Sequence, residues 1–301
     1  MAKKISKDQI ETLYKELLAD LQKPRNPVSQ QKFIQGFFNK HALGVTHQRN
    51  LQSRLRQEQK IGQLPIKWGH GTPFRHLLTT TPDANPLELT MGFFEKGYLC
   101  FGSALFWNGL SPQVPKTFYI AKERPVPGPK RKLPVLDEFT MQEQFMKAPR
   151  VSNKVCTLND YTYVLVERDY SNRAGVVSKT VPFGGKDVTI DLTNLERTLI
   201  DCVMSPHYSG GPSAIVQAFE LAKPKLHVST LIEMYKKLSL AFPYWQRIGL
   251  LLEKVASVKT AEDWRAKFGK PKMKFYFDKN YRLSWDFDES WQIYYPKGLL
   301  P

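Results

Sequence analysis

The sequence predicts an α+β protein in which an N-terminal winged helix-turn-helix domain precedes a larger mixed α+β C-terminal domain. Three observations predict it: two apolar-striped helical segments followed by a polar one, a short alternating hairpin after them, and later strand-like runs interleaved with helices. The 301 residues are 42% hydrophobic, which is enough to build a core in each domain. We place the domains at residues 1–82 and 83–301, with the turn-rich segment 80–86 as linker.

Two amphipathic helices are predicted at the start of the chain. Apolar residues recur at spacings of three and four over residues 6–21, and Ser6 is suited to cap the first amides. Pro24 and Pro27 are predicted to end this helix, because proline has no amide hydrogen to donate. A second helix is predicted over residues 29–44, with a buried stripe formed by Phe33, Ile34, Phe37 and Phe38.

A third helix, much more polar, is predicted over residues 47–60 with Thr46 as its cap. Leu51 and Leu55 define its inward stripe. Spacings of three, four and seven then place four polar residues together on what we call the outward face, namely Arg49, Gln52, Ser53 and Arg56. A tight connection containing Gly44 separates this helix from the second, as in a helix-turn-helix.

A short β-hairpin is predicted directly after the third helix. Residues 64–68 and 74–80 fit two strands, and Gly69-His70-Gly71 fits the turn between them. A winged helix carries its wing at this position. The order of three helices followed by a hairpin therefore predicts a winged helix-turn-helix.

The C-terminal domain mixes strands, which β-branched and aromatic runs predict, with helices, which apolar residues at helical spacing predict. Strands are expected at 98–101, 114–121, 161–167, 176–182 and 187–192, and helices at 86–95, 103–108, 193–204, 212–222, 229–240 and 244–257. The proline-rich segment 122–134 predicts a surface loop, and residues 272–287 predict a terminal hairpin. Arg197 and Asp201, four apart on a helix, predict a structural ion pair.

The charge of the chain favours a polyanionic partner. It carries 44 basic and 28 acidic residues, a net charge of +16. The first 80 residues hold 14 basic and 5 acidic residues, so this quarter of the chain has a net charge of +9. Such a concentration of positive charge points to nucleic acid first and to an anionic membrane second.

Residues on and beside the third helix are predicted to bind DNA. Arginine can fork onto guanine, glutamine onto adenine and serine onto several bases, so the outward face suits the major groove. The lysines and arginines that flank the outward face are suited to contact phosphates, and Thr46 together with the first amides of the helix could bind another phosphate. His70 lies at the tip of the predicted wing. The predicted contacts are Thr46, Gln48, Arg49, Gln52, Ser53, Arg56, Lys60, Lys67, His70 and Arg75. The alternative is a solvated basic helix without a partner.

Enzyme and membrane functions are not expected from the sequence. Gly102-Ser103 lacks the nearby Asp-x-Asp pair of a nucleotidyltransferase, and the histidines show no metal-ligand spacing, so we expect no catalytic site, metal or cofactor. Ser209-Gly-Gly-Pro212 could cradle an anion, although a helix-capping turn is preferred. The three cysteines are expected to be reduced and buried. With no long apolar run or signal-peptide core, the protein is expected in the cytoplasm.

Several segments of the C-terminal domain resemble a known family. They are Tyr98-Leu-Cys-Phe-Gly-Ser-Ala-Leu105, Asn108-Gly-Leu110, Leu195-Glu-Arg-Thr-Leu-Ile-Asp201, Ser209-Gly-Gly211 and Arg247-Ile-Gly249. Together they resemble the AbiEi antitoxin and transcriptional regulator of type IV, abortive-infection toxin-antitoxin systems, over about residues 65–255. The segment that precedes Lys67 is longer and more basic than the corresponding segment in that family.

The resemblance implies a fold and a function. The family combines an N-terminal winged helix with a C-terminal α+β domain. The resemblance implies an autorepressor that binds an inverted-repeat operator of double-stranded DNA and counters a nucleotidyltransferase toxin encoded beside it, without requiring a stable complex with that toxin. Two heads on one operator could come from a weak dimer or from two monomers, and the sequence does not decide between them. Two other hypotheses stay open: an interaction protein that masks a toxin or defence component directly, with DNA binding secondary, and an enzyme acting on nucleic acid.

Overall fold

The computed structural model describes residues 5–21, 27–66, 75–79, 85–94, 96–126, 137–158, 160–279 and 284–300. Within these ranges only the backbone is described at residues 27–32, 62–66 and 75–79. The predicted linker, apart from Asn85 and Pro86, and most of the predicted loop at 122–134 lie outside the described residues.

Three helices and a two-stranded hairpin form the N-terminal region, which we define as residues 5–79. The elements are α1 (Lys7–Leu21), α2 (Pro27–Lys40), α3 (Val45–Gln57), β1 (Gly62–Ile66) and β2 (Arg75–Thr79). Ser6 caps α1 as predicted, since its Oγ accepts a hydrogen bond from the Gln9 amide at 3.2 Å. Pro27 does not follow α1 as a breaker but is the first residue of α2, a position where a missing amide hydrogen costs nothing.

The core of the N-terminal region is made by the apolar stripes of its helices. The side chains of Tyr14, Leu17, Phe38 and Leu55 are at most 1% exposed. The hairpin is antiparallel. Gly62 lies opposite Thr79, and Ile66 lies opposite Arg75. The predicted order of three helices followed by a hairpin is confirmed, while the turn that joins the strands lies outside the described residues.

A six-stranded mixed sheet dominates the first part of the C-terminal region, which we define as residues 85–300. Its elements are α4 (Pro86–Phe93), β3 (Tyr98–Leu99), α5 (Gly102–Trp107), β4 (Thr117–Glu123), α6 (Glu138–Met146), β5 (Val155–Leu158), β6 (Tyr161–Arg168), β7 (Val176–Phe183) and β8 (Lys186–Thr193). The strand order is β5-β6-β4-β3-β8-β7. The pairs β4–β6 and β3–β8 are parallel, and the other pairs are antiparallel.

Helices and a small three-stranded sheet form the second part. They are α7 (Leu195–Met204), a 3-10 turn (Pro206–Tyr208), α8 (Pro212–Ala222), α9 (Val228–Lys237), α10 (Tyr244–Leu251), a π-helical turn (Leu252–Ala256), α11 (Val258–Phe268), β9 (Phe275–Tyr276), β10 (Trp285–Asp288) and β11 (Ile293–Pro296). Their shared core contains Phe219, Leu231, Trp264 and Trp291, each fully buried. The mixed α+β class predicted from the sequence is confirmed.

The prediction of a hairpin over residues 272–287 is wrong. The order of the small sheet is β10-β11-β9, so β11 lies between the two segments that were expected to pair. β11 pairs antiparallel with β10 and parallel with β9. Ile293 in the central strand β11 and Phe275 in the edge strand β9 are both fully buried.

A buried charge cluster joins the sheet to α7. Asp201, fully buried, accepts hydrogen bonds from Arg197 Nε at 2.9 Å and from Arg168 Nη2 at 2.6 Å. Arg197 also donates to the carbonyl oxygen of Ala174 at 2.8 Å. The Arg197–Asp201 ion pair is therefore confirmed as part of the structure, and Arg168 at the end of β6 completes it.

Candidate nucleic-acid interface

The third helix is fixed to the N-terminal core by its two leucines. Leu51 and Leu55 are 2% and 0% exposed and belong to the same hydrophobic cluster as Tyr14 and Phe38. The expectation that Thr46 caps the helix is wrong. Gly44 takes the capping position with an extended backbone (φ −65°, ψ 156°), so α3 begins at Val45 and Thr46 lies inside its first turn.

A charged network, which we call the Arg54 network, ties the back of α3 to α1. Arg54 Nη1 donates to Glu11 Oε2 at 2.5 Å, and its Nε donates to Glu58 Oε1 at 2.8 Å. Tyr14 Oη donates to the other oxygen of Glu58 at 2.6 Å, and the guanidinium lies 3.8 Å from the centre of the Tyr14 ring. The network therefore consists of Glu11, Tyr14, Arg54 and Glu58, and it links α3 to α1.

The Arg54 network keeps both of its carboxylates ionised. The hydrogen bond from Arg54 lowers the pKa of Glu11, and the hydrogen bonds from Tyr14 and then Arg54 lower the pKa of Glu58. Burial raises the pKa of Tyr14, so the phenol stays protonated and donates to Glu58. Arg54 is therefore paired with two carboxylates of the N-terminal region.

The outward face of α3 is polar and positively charged. Arg49, Ser53 and Arg56 are exposed and Gln52 is partly exposed, as the helical spacing predicted. Glu58 is the single acidic residue between residues 21 and 82, and its carboxylate is engaged in the Arg54 network. Thr46 and Lys60 are also exposed. The face therefore offers two arginines and hydrogen-bonding side chains with no carboxylate of α3 among them.

Gln48 makes a local contact within the N-terminal region. Its side chain is half-buried, and its Nε2 donates to the carbonyl oxygen of Leu43 at 2.7 Å. The amide thereby fixes the connection between α2 and α3. The predicted DNA contact by Gln48 stays a prediction.

Three of the predicted contacts fall in or next to the hairpin. Lys67 and His70 lie outside the described residues. Arg75 begins β2 with its backbone opposite Ile66, and its side chain is not described. These three stay predictions.

One exposed residue of α3 escaped the sequence interpretation. Val45 is the first residue of the helix and is 63% exposed. Placing the helix start at residue 47 left Val45 in the connection. The signal that could have placed it is Gly44, a residue suited to the position before a helix.

The segments in the C-terminal region that resemble catalytic motifs are used in packing. Ser103 Oγ accepts from the Tyr119 amide at 2.6 Å and donates to the Thr117 carbonyl oxygen at 3.1 Å, with the serine fully buried. The segment Asp286-Phe-Asp288 is an Asp-x-Asp sequence far along the chain from Ser103, and its Asp288 accepts a hydrogen bond from the Trp291 amide at 2.8 Å. In the part of the chain that the structure describes, no three His, Cys, Asp or Glu side chains meet in a way that could hold a metal ion.

The remaining sequence motifs also have local structural roles. Gly210 and Gly211 have φ values of +85° and +87°, and Gly211 precedes α8 directly. This geometry is that of a turn leading into a helix, where glycine avoids the strain of a positive φ. Cys100, Cys156 and Cys202 are free and buried, as predicted.

Comparison with known proteins shows the fold alone. No family model and no curated protein matches the chain. Among solved structures, the Rv2827c protein of Mycobacterium tuberculosis is similar over 98% of this chain and 93% of its own, with a TM-score of 0.53 and 14% sequence identity. The similarity therefore spans both the N-terminal and the C-terminal regions. Within the described residues, no helix combines the length and apolarity that crossing a membrane requires.

Proposed function

We propose that this protein binds double-stranded DNA through a winged helix-turn-helix formed by α1–α3 and the β1–β2 hairpin. The observation that carries the proposal is the outward face of α3, where Arg49 and Arg56 are exposed. Glu11 and Glu58 are held by Arg54 on the opposite side of the helix. In this class of motif the recognition helix enters the major groove, and its outward residues contact base edges. We assign α3 that role.

Each residue of the outward face has a chemical task in this proposal. Arg49 and Arg56 can each donate two hydrogen bonds to one guanine, Gln52 can exchange two with adenine, and Ser53 can bond to several bases. Lys60, Lys67 and Arg75 contact phosphates, which supply most of the affinity through release of counterions. The first amides of α3 have no side-chain cap, so they can donate to a phosphate as well.

We further propose that the protein is the autorepressor and antitoxin of a type IV toxin-antitoxin system, counteracting a nucleotidyltransferase toxin. This part of the proposal is supported by the resemblance of five segments between Tyr98 and Gly249 to the AbiEi family. Its operator would be an inverted repeat, and each half-site would take one recognition helix from one chain.

Binding of the full chain to the DNA upstream of its coding sequence tests the first proposal. Fluorescence anisotropy at several salt concentrations should show affinity that falls steeply with salt. Arg49→Ala and Arg56→Ala should each weaken binding roughly 5- to 150-fold, because each removes a forked contact to a base. Lys15→Ala, which removes an exposed charge on α1, is the matched control and should bind nearly as the unaltered protein does. Unchanged affinity in both arginine variants would mean that α3 is not the recognition helix.

Co-expression tests the second proposal. A nucleotidyltransferase encoded in the adjacent reading frame is expected to arrest growth alone and to be tolerated when this protein is expressed with it. The Arg49→Ala/Arg56→Ala double variant should lose repression of its own promoter and keep the protective effect, because the protective effect is assigned to the C-terminal region. An adjacent reading frame of unrelated type, or a toxin that this protein does not counteract, would contradict the antitoxin assignment.

A further inference from the structure

Val45 differs from the other apolar residues of α3. The helix contains three aliphatic side chains, of which Leu51 and Leu55 are buried and Val45 is 63% exposed. Val45 is also absent from the hydrophobic cluster of the N-terminal region. Packing therefore does not account for an apolar side chain at this position.

The position of Val45 is defined by the helix itself. Residues 49, 52 and 56 follow it at spacings of four, seven and eleven, so Val45 lies on the same face of α3 as Arg49, Gln52 and Arg56. It occupies the N-terminal end of that row. In helix-turn-helix proteins the N-terminal residues of the recognition helix are the ones that contact base edges.

An aliphatic side chain has one natural counterpart in the major groove. Thymine is the base that presents a methyl group there, and apolar side chains contact that methyl. Valine is β-branched, so its two methyl groups are held in a strongly preferred orientation on a helix. The extended Gly44 before it carries no side chain, which leaves the approach to the first turn of α3 open.

We propose that Val45 is a specificity-determining residue that packs on the methyl group of a thymine in each half-site. This inference rests on the proposed function, and it adds a thymine to the guanine and adenine contacts assigned to the other residues of the outward face. The expected contribution of the contact is about fourfold in affinity, which corresponds to the burial of one methyl-sized group.

Replacing single thymines by uracils tests the inference, since uracil lacks the methyl group and keeps the pairing edge. The full chain is measured on duplexes of the bound upstream DNA in which each thymine is changed in turn. The unaltered protein should lose affinity about fourfold at one thymine in each half-site. Val45→Ala should lose about the same affinity on the unmodified duplex. It should lose no further affinity at those uracils, because the side chain that contacts the thymine methyl has already been removed.

Val258 provides the matched control. It is the first residue of α11 and is 61% exposed, so Val258→Ala makes the same chemical change at an equivalent helix position far along the chain. This variant should bind as tightly as the unaltered protein and remain sensitive to the same uracils.

Two results would overturn the inference while leaving the proposed function intact. Either no uracil weakens the unaltered protein although it binds the duplex, or Val45→Ala remains as sensitive to every uracil as the unaltered protein. A full chain that binds none of the upstream duplexes at low salt would contradict the proposed function itself, and the Val45 inference would fall with it.

Discussion

Arg54 and Arg56 lie two residues apart on α3 and have different surroundings. The guanidinium of Arg54 contacts Glu11, Glu58 and the Tyr14 ring, whereas Arg56 is exposed on the outward face. Because an α-helix turns by about 100° per residue, the two side chains point in different directions. Arg54 contacts α1, and Arg56 faces the solvent. Basic residues in one short segment therefore cannot be counted together as DNA contacts.

The Arg54 network predicts a pH-dependent stability. The pKa of Glu58 is lowered in the folded protein, so its contribution is fully present above the ordinary value of 4.5 and is lost as the pH falls through the lowered value. Glu58→Gln should therefore melt at a lower temperature than the unaltered protein at neutral pH, and this difference should shrink below pH 4.5.

Thermal melting of the full chain across this pH range checks the prediction. Glu262→Gln, which changes an exposed carboxylate on α11, is the control and should shift the melting temperature little at any pH. A Glu58→Gln effect of constant size from neutral to acidic pH would contradict the role given to the ionised carboxylate.

Residue contacts could be predicted from the sequence where they depend on local spacing. The Arg197–Asp201 pair follows from a separation of four on a helix and is present at 2.9 Å. Arg168 is 33 residues away from Asp201 on a strand, so only the tertiary fold brings it into the same cluster. The hydrogen bond of Gln48 and the start of α3 at Val45 depend on the backbone angles of the α2–α3 connection, which spacing does not reveal.

At the scale of elements, those helices and strands could be predicted that have a clear hydrophobic periodicity or a recognisable first residue. α8 has the bounds that its proline start and apolar stripe indicate, and the strands β6, β7 and β8 lie where the β-branched runs predicted them. α6 and α11 were not predicted. β4 also extends beyond the expected end, because Glu123 still pairs with Arg168 on β6.

Gly249 of α10 is packed so closely that a larger residue there should destabilise the protein. A Cβ built on Gly249 would lie 2.1 Å from Cζ3 of Trp291, a fully buried side chain. Gly249→Ala should therefore lower the free energy of unfolding by about 1–3 kcal/mol, since the helix and the indole must move apart. Chemical denaturation of the full chain measures this change.

Gly36 offers a matched control within α2. It is also a helical glycine, and a Cβ added there would meet no atom within 4 Å. Gly36→Ala should raise stability by about 0.5–1 kcal/mol, because alanine loses less conformational freedom in a helix. Equal effects of the two substitutions would show that the contact with Trp291 does not constrain Gly249.

On the scale of the whole molecule, the chain combines a compact basic region with a larger mixed α+β region. The backbone of α4 approaches that of α2, so the first helix of the C-terminal region lies against the N-terminal region. The sequence predicted the α+β class and the order of the elements in the N-terminal region. It did not predict the strand order of either C-terminal sheet, because pairing between distant segments is chosen by the shared core.

The positive charge of the chain is concentrated in the N-terminal region. The first 80 residues carry a net charge of +9, and Arg49 and Arg56 are exposed on the outward face of α3. The similarity to Rv2827c extends over both regions and so supports a common architecture. The proposal that this architecture binds DNA depends on the outward face of α3.

Site-directed DNA cleavage tests that claim most directly. Gln57, an exposed residue at the end of α3, can be changed to cysteine and linked to an iron chelate that cuts nearby DNA. The native thiols are buried, and burial raises the pKa of Cys156 to about 11 and that of Cys202 to about 12, so the added thiol is the reactive one. We expect the Gln57→Cys conjugate to cut inside each half-site of the bound upstream DNA, and a Lys15→Cys conjugate on α1 to cut there weakly. A Gln57→Cys conjugate that binds the duplex and leaves it uncut would contradict the placement of α3 against DNA.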